Sequence, residues 1–380
     1  MADDPHLAHG MGTDLEPPQW PAITPAEAEQ LLARFPAAGR LERLTWHSPR
    51  PFSAATLADT TAGTLFLKRH HHRLRTPRQL TDEHAFLKHL GQHGQPVVEL
   101  LATATGATAL QLGNWTWEVH RKAPGLDLYR DRQSWTPFLS PAHARAAGAA
   151  LARLHKSAGG FAAPARPPQP LVTSLSLLTA TDPIAAAAQY AEQRPALATY
   201  LASKPWRAAL DEIFAQHRLA EWAPDLAAQP AMWTHNDWHP SNLLWTDAGA
   251  IASILDFGLS DRTCALHDLA TALERSAVRW LELGPGRPSD IAECDDARAL
   301  LEGYAAVRPL RPADRALLAR LLPLVHVEFA LSEVDYFAGV AARPALADLA
   351  WHDYLIGHAD WFLSEPGRGL LAAVAAEGRY

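Results

Sequence analysis

The sequence changes character at Pro124-Gly125, and that change constrains the fold more than any other feature. Before it lie short apolar runs of strand length: Leu41–Trp46, Thr64–Lys68, Val97–Ala102, Ala107–Leu112 and Trp115–His120. Gly113-Asn114 joins the last two as a two-residue hairpin signal. One helix interrupts them, Leu80–Leu90, with Phe86, Leu87 and Leu90 on one face and Gly91 and Gly94 at its end. The polar segment between the first two runs predicts either a hairpin with a long tip or a three-stranded meander. Past Pro124-Gly125 the period becomes helical. Pro141–His155 spaces Ala147, Leu151 and Leu154 for burial, and further helices are expected near 183–192, 195–203, 205–219 and from 265 onward. Residues 231–258 break that run with two short strands, Asn242–Trp245 and Ile251–Asp256.

The pattern predicts an α+β fold of two lobes, a small antiparallel β lobe with one helix and a large, mainly helical lobe. Its expected divisions are an N-terminal leader and helix (1–39), a small lobe (40–122) and a large lobe (123–380). Residues 1–22 read as a mobile leader. Thr24, Pro25 and Glu27 then open a helix through a capping box that runs to Phe35.

Composition narrows the function classes. An apolar content of 48% is enough for a large core, and a net charge of −7 argues against nucleic acid or an anionic membrane as the main partner. Cys264 and Cys294 form no disulfide framework or metal-ligand spacing, which fits a reducing, cytoplasmic setting. The acidic N-terminus lacks an apolar core, and no apolar run is long enough to span a bilayer. Nothing in the sequence signals an oligomeric state.

The stretch from His235 to Gly258 carries the chemistry. Phosphoryl transfer needs a carboxylate to orient and deprotonate the attacking hydroxyl, oxygen ligands for Mg²⁺, and a cation on the phosphates that stay behind. Asp237 and Asn242 lie five residues apart on a loop entering a strand, and Asp256 ends the next strand. Asn242 and Asp256 offer the hard oxygen atoms that Mg²⁺ prefers.

His235-x-Asp237-x-x-x-x-Asn242 followed by Asp256-Phe257-Gly258 resembles the catalytic and metal loops of the protein-kinase-like superfamily. His239 two positions after Asp237, and Asp268-Leu269-Ala270, resemble its aminoglycoside phosphotransferase and choline kinase branch. That resemblance implies a two-lobe protein-kinase-like fold using ATP and Mg²⁺. It makes Asp237 the base, places His239 beside the chemistry, and gives the metal to Asn242 and Asp256. His235 is expected as a brace behind the loop and Asp268 as a helix cap or loop brace. Lys68, at the end of a small-lobe strand, is similar to the superfamily's phosphate lysine, with Glu83 as its ion-pair partner and Asp82 as a fallback. Ser53, with Ser48 and Arg50, falls where a phosphate-covering loop belongs, although the glycine-rich turn is missing. The backbone of His120, Arg121 and Lys122 occupies the place of the adenine-binding linker.

Other features have blander readings. Arg69–Arg73, with three histidines, reads as a solvated basic loop, because consecutive strand residues point to alternate faces. Trp238 is either core or acceptor pocket. Glu328, Glu333 and Asp335 read as a solvated helix face, the alternative being a site for a cationic acceptor; Asp127, Arg130 and Asp131 are equally ambiguous. A metal hydrolase built on His235, Asp237 and His239 would leave Asn242, Asp-Phe-Gly and Lys68 unexplained. The sequence therefore predicts a kinase that phosphorylates a hydroxyl of a small molecule, antibiotic or metabolite. The alternatives are a bacterial protein Ser/Thr kinase of the same fold and a nucleotide-binding module without catalysis.

Overall fold

The computed structural model describes residues 7–9, 12, 14–284 and 289–376. Its contacts separate into two units. One comprises the chain up to Gly125 with Ser253–Leu255, the other Leu126–Ala252 with the chain from Asp256. No described helix is long and apolar enough to cross a membrane.

In the small unit, β1 (Ala8–His9) pairs with β2 (Leu15–Glu16), and five further strands form one antiparallel sheet. These are β3 (Leu41–His47), β4 (Ala54–Thr60), β5 (Gly63–His71), β6 (Ala109–Leu112) and β7 (Trp115–Arg121), in spatial order β3-β4-β5-β7-β6. The polar segment thus supplies the middle strand of a meander. Gly113, at φ 57°, makes the expected tight turn between β6 and β7. Val97–Ala102 is not a regular strand. Val97 bridges to Ile254 while Leu100 bridges to His120, so the segment divides its pairing between two partners and no continuous ladder forms.

Alternation along β5 and β7 gives the sheet two different faces. Leu65 and Leu67 with Trp117 and Val119 join the apolar core, which α1 (Pro25–Leu32) completes through Ala28, Leu31 and Leu32. Thr24 and Glu27 form the expected capping box, although the helix stops short of Phe35. On the opposite face Phe66, Lys68 and His70 stand opposite His120, Glu118 and Thr116. Against this polar face packs α2 (Pro77–Gln92), whose His84 reaches Glu118. A second capping box, Thr76 with Gln79, starts α2 three residues before the expected position.

Two expectations about this unit are corrected. Arg69 is 2% exposed: its guanidinium lies over Trp115 and Trp117 at 4.2 and 5.2 Å and is ion-paired to Glu27. His70 is buried too, so this stretch is a strand with an anchored arginine rather than a solvated loop. The leader is also tied down where it is described. Pro21 O accepts from Arg69, Trp20 stacks on His71, and His9 N–H donates to Pro49 O. The rest of the leader, residues 1–6, 10, 11 and 13, lies outside the described residues.

In the large unit α3 (Pro141–Ser157) precedes α4 (Pro183–Glu192), α5 (Pro195–Leu201), α6 (Trp206–Gln216) and α7 (Leu219–Ala227). Two strands that sequence reading missed then frame the loop region. β8 (Ala231–Thr234) pairs antiparallel with β11 (Asp261–Cys264), outside the short β9 (Leu243–Trp245) and β10 (Ile251–Ile254). Both are four residues long and β11 is largely polar, so neither has a readable period. After them come α8 (Ala265–Ser276), α9 (Cys294–Ala305), α10 (Pro312–Leu321) and α11 (Val327–Asp335), with further helical turns reaching Ala375. α3 and α9 pack so closely that a Cβ on Gly148 would run into Leu300 O, and one on Gly303 into Arg145 O. Every residue of α8 is buried. Glu328, Glu333 and Asp335 are buried as well, which overturns the expected solvated face. Glu328 accepts hydrogen bonds from Ser174 and Ser176, and Asp335 accepts from Leu197 N–H.

Candidate active site

The centre of the large unit is the loop that leaves β8. Its first turn is held from outside. Asp268, in the first turn of α8, accepts the backbone N–H groups of His235 and Asn236, each at 2.8 Å. Asn236 sits at φ 59°, a left-handed conformation that asparagine tolerates better than most residues. Its side chain is fixed by Thr234 and Thr263. Behind Asp268, His155 Nε2 lies at 2.9 Å and His155 Nδ1 meets Tyr304 Oη at 2.8 Å. Burial alone would raise the Asp268 carboxyl, but the hydrogen bond and charge of His155 and the His235 N–H bring it below the usual carboxylate range. Asp268 thus braces the loop, as does His235, whose ring lies between Trp238 and Phe257 and whose Nδ1 accepts the Asp237 N–H at 3.1 Å. Trp238 is fully buried and belongs to this packing.

Asp237 then projects its carboxylate among three partners. Asn242 Nδ2 donates both to Asp237 Oδ2 at 3.0 Å and to Asp237 O at 2.9 Å. His239 Nε2 lies 3.5 Å from Oδ1, and its Nδ1 is 2.9 Å from Ser241 Oγ. Arg275, near the end of α8, contacts Oδ1 directly. The Asn242 geometry decides the polarity of its amide. A carboxylate and a carbonyl only accept, so the NH₂ must face Asp237, and Oδ1 is left to serve as a ligand. Asp256 follows β10 at φ 53° and accepts the Gly258 N–H at 3.3 Å, the tight turn expected of Asp-x-Gly. Asn242 Oδ1 and the Asp256 carboxylate are hard oxygen donors and fit a magnesium-type ion.

Arg275 was not foreseen. Its guanidinium lies against both Trp135 and Phe329, 5.1 and 4.8 Å from their centroids, and burial lowers its pKa. A signal for it does exist. Asp268 and Arg275 are seven residues apart, two helical turns, and so share one face of a fully buried helix. A polar pair at that spacing inside a buried helix marks a face turned to a polar centre. Two buried acids lie in the same neighbourhood: burial raises Glu274 to about 8, helped by the Glu333 charge, and burial raises Glu333 to about 8, opposed by the Arg275 charge.

The small unit carries the remaining candidates. Lys68 lies mid-strand on β5, opposite Ala55 and Glu118, and is 9% exposed; Glu83 is buried on α2. Ser53 immediately precedes β4. Ser48 Oγ accepts the Arg50 N–H, and Arg50 reaches His9 Nδ1 at 3.0 Å. The linker expectation is narrowed. The N–H groups of Arg121 and Lys122 donate to Glu99 O and Thr64 O, so an adenine contact at either residue has to use another backbone atom. The His120 side chain points instead at Glu118.

Comparison with known proteins agrees with this architecture. The profile of the phosphotransferase enzyme family (APH) matches residues 51–327. A homoserine kinase from Caulobacter sp. (strain K31) is 29% identical over 297 residues, covering 76% of this chain and 80% of the relative. Among solved structures, a microcompartment-associated aminopropanol kinase superposes with a TM-score of 0.58 at 15% identity, covering 91% of this chain and 99% of that one. The amicoumacin kinase hAmiN superposes with a TM-score of 0.55 at 17% identity, covering 82% and 89%. At such identities the structural likeness speaks for the fold, the two-lobe α+β fold of protein-kinase-like small-molecule kinases.

Proposed function

Because the chain belongs to the phosphotransferase enzyme family (APH) and is an ATP-dependent kinase of small-molecule hydroxyls, we propose that Asp237 is the group that receives the acceptor. The observation that carries this is the cage around its carboxylate. Asn242 and Arg275 hold Oδ2 and Oδ1, so the carboxylate is presented in one orientation before any substrate arrives. Asp237 orients the acceptor hydroxyl and takes its proton. The hydroxyl oxygen forms a bond to the γ-phosphorus of ATP as the bond from that phosphorus to the bridging oxygen breaks, and ADP departs with the electron pair. His239, beside Oδ1, is placed to touch the transferred group. Asn242 Oδ1 and Asp256 are the residues that would hold Mg²⁺, which when bound supplies charge neutralisation on the phosphates. The AMP-PNP and Ca²⁺ bound by the amicoumacin kinase neighbour support a nucleotide held with a divalent cation. Lys68, braced by Glu83, holds the α- and β-phosphates, with Ser53 and the backbone of His120–Lys122 as further nucleotide contacts. On this reading residues 40–122 form the nucleotide-binding lobe and 123–380 the lobe of the catalytic and metal loops, apart from Ser253–Leu255, whose contacts lie with the small unit.

The acceptor is a small amino-alcohol or hydroxy amino acid. Homoserine kinase relatives and an aminopropanol kinase neighbour support that class. The test is ATP consumption over a panel of homoserine, aminopropanol and aminoglycosides, with Asp237→Asn as control. Turnover on a hydroxy amino acid or amino-alcohol is expected, with the variant about 10²–10⁴-fold slower. Unchanged turnover in Asp237→Asn would remove the base assignment, and turnover on aminoglycosides alone would remove the acceptor class.

A further inference from the structure

The polar face of the small unit holds a cluster of ligand atoms for which phosphoryl transfer has no use. His84 Nε2 on α2 and His120 Nε2 on β7 lie 2.8 and 2.9 Å from Glu118 Oε2. His70 Nε2 on β5 lies 3.3 Å from the other carboxylate oxygen, Oε1. All four residues are buried, and the donor atoms of His84, Glu118 and His120 lie within 4.8 Å of one another. Three imidazoles turn the same ring nitrogen towards one carboxylate, a convergence of nitrogen and oxygen ligand atoms that suits a shared cation.

A transition-metal ion would fill that role. Zn²⁺ sits about 2.0–2.2 Å from imidazole nitrogen and carboxylate oxygen, which spaces tetrahedral ligands roughly 3.3 Å apart. The Nε2 atoms of His84 and His120 need to withdraw from Oε2 by about half an ångström to admit it. Imidazole with carboxylate suits zinc, whereas Mg²⁺ and Ca²⁺ prefer oxygen alone. Support behind the ligands is present as well. His84 Nδ1 is 2.7 Å from Thr108 Oγ1, the partner that fixes a ligating ring, and His70 orients the carboxylate through Oε1. We propose that His84, Glu118 and His120 form a buried zinc site that fastens α2 to β7. Glu83 immediately precedes His84, and Glu118 stands opposite Lys68, so an ion here sets the position of α2 against the strands that carry the phosphate lysine. The site is independent of what the enzyme phosphorylates.

One histidine pair near the surface needs to be silenced in the test. Half-buried His89 near the end of α2 and exposed His93 just past it have ring centroids 4.2 Å apart, a surface chelate for a divalent ion. The full-length His89→Ala/His93→Ala protein, stripped with a chelator, is titrated with Zn²⁺ by calorimetry and assayed for bound metal. One equivalent per chain and a higher Tm are expected, and Co²⁺ in its place should give the intense visible bands of tetrahedral coordination. Adding His84→Ala with His120→Ala should abolish that equivalent. No zinc equivalent in the surface-silenced protein overturns the proposal, as does one that survives loss of both histidines. If the histidine variant does not fold, the Co²⁺ spectrum of the surface-silenced protein decides: weak octahedral bands, or none, mean a hydrogen-bonded cluster without metal.

Discussion

Glu118 in the small unit and Glu333 in the large one are both sealed from solvent, yet the fold has equipped them in opposite ways. Glu118 is met by the imidazoles of His70, His84 and His120. Burial pushes its carboxyl up, but the His120 charge and the three histidine hydrogen bonds bring it well below the usual range, so it stays ionised. Among the described residues neither oxygen of Glu333 finds a hydrogen-bond partner. Burial lifts its pKa to about 8, and the nearby Arg275 charge reverses only part of that. Burial sets the cost of a carboxylate; the number of donors aimed at it decides whether the charge survives.

The comparison can be broken most readily at Arg275, the cation that touches Asp237 and faces Glu333. Arg275→Leu should lower kcat by about 10²-fold or more, by analogy with removal of one preorganised donor from a charged site. Steady-state ATP turnover reads this, and an unchanged kcat would mean that the large unit's charges are structural, like those around Glu118. A smaller effect is expected from Glu118→Gln, which keeps the shape but removes the charge three imidazoles share. Its cost should be about 1–3 kcal/mol in urea unfolding, because buried polar groups are left poorly paired. The smallest effect is a slope. Between pH 4.5 and about 8 folded Glu333 and Glu274 retain protons that the unfolded chain releases, so their contribution to stability is full below pH 4.5 and is lost as pH rises through 8. Glu333→Gln should therefore flatten the decline of Tm from pH 5 to 8, measured by calorimetry. An unchanged decline in the variant would show that Glu333 is ionised in the folded state.

The same contrast explains what the sequence disclosed. The position of the loop from His235 to Gly258 was legible because its motif lies within a short stretch of chain, and the bracing by His235 and Asp268 went with it. The hairpin at Gly113 and the capping box at Thr24 were legible because each is a local rule. Glu118 with His84, and Arg275 with Asp237, were not, since each pair joins residues that only the packing of a helix brings together. Arg69 shows the same limit: a charge beside three histidines looks solvated until Trp115, Trp117 and Glu27 are placed around it. The acids of α11 were misread because their alternation with apolar residues matched a surface helix, whereas the large unit buries that helix on all sides.

α8 fixes the loop after β8 at two points, Asp268 beneath its entrance and Arg275 on the Asp237 carboxylate. The distance between those points is the rise of seven helical residues, about 10 Å. That makes the segment intolerant of changes in length. One residue inserted or deleted between Asp268 and Arg275 would swing the arginine about 100° around the helix and off the Asp237 carboxylate. Substitutions can accumulate in α8, but its residue count between these two positions cannot drift while the enzyme works.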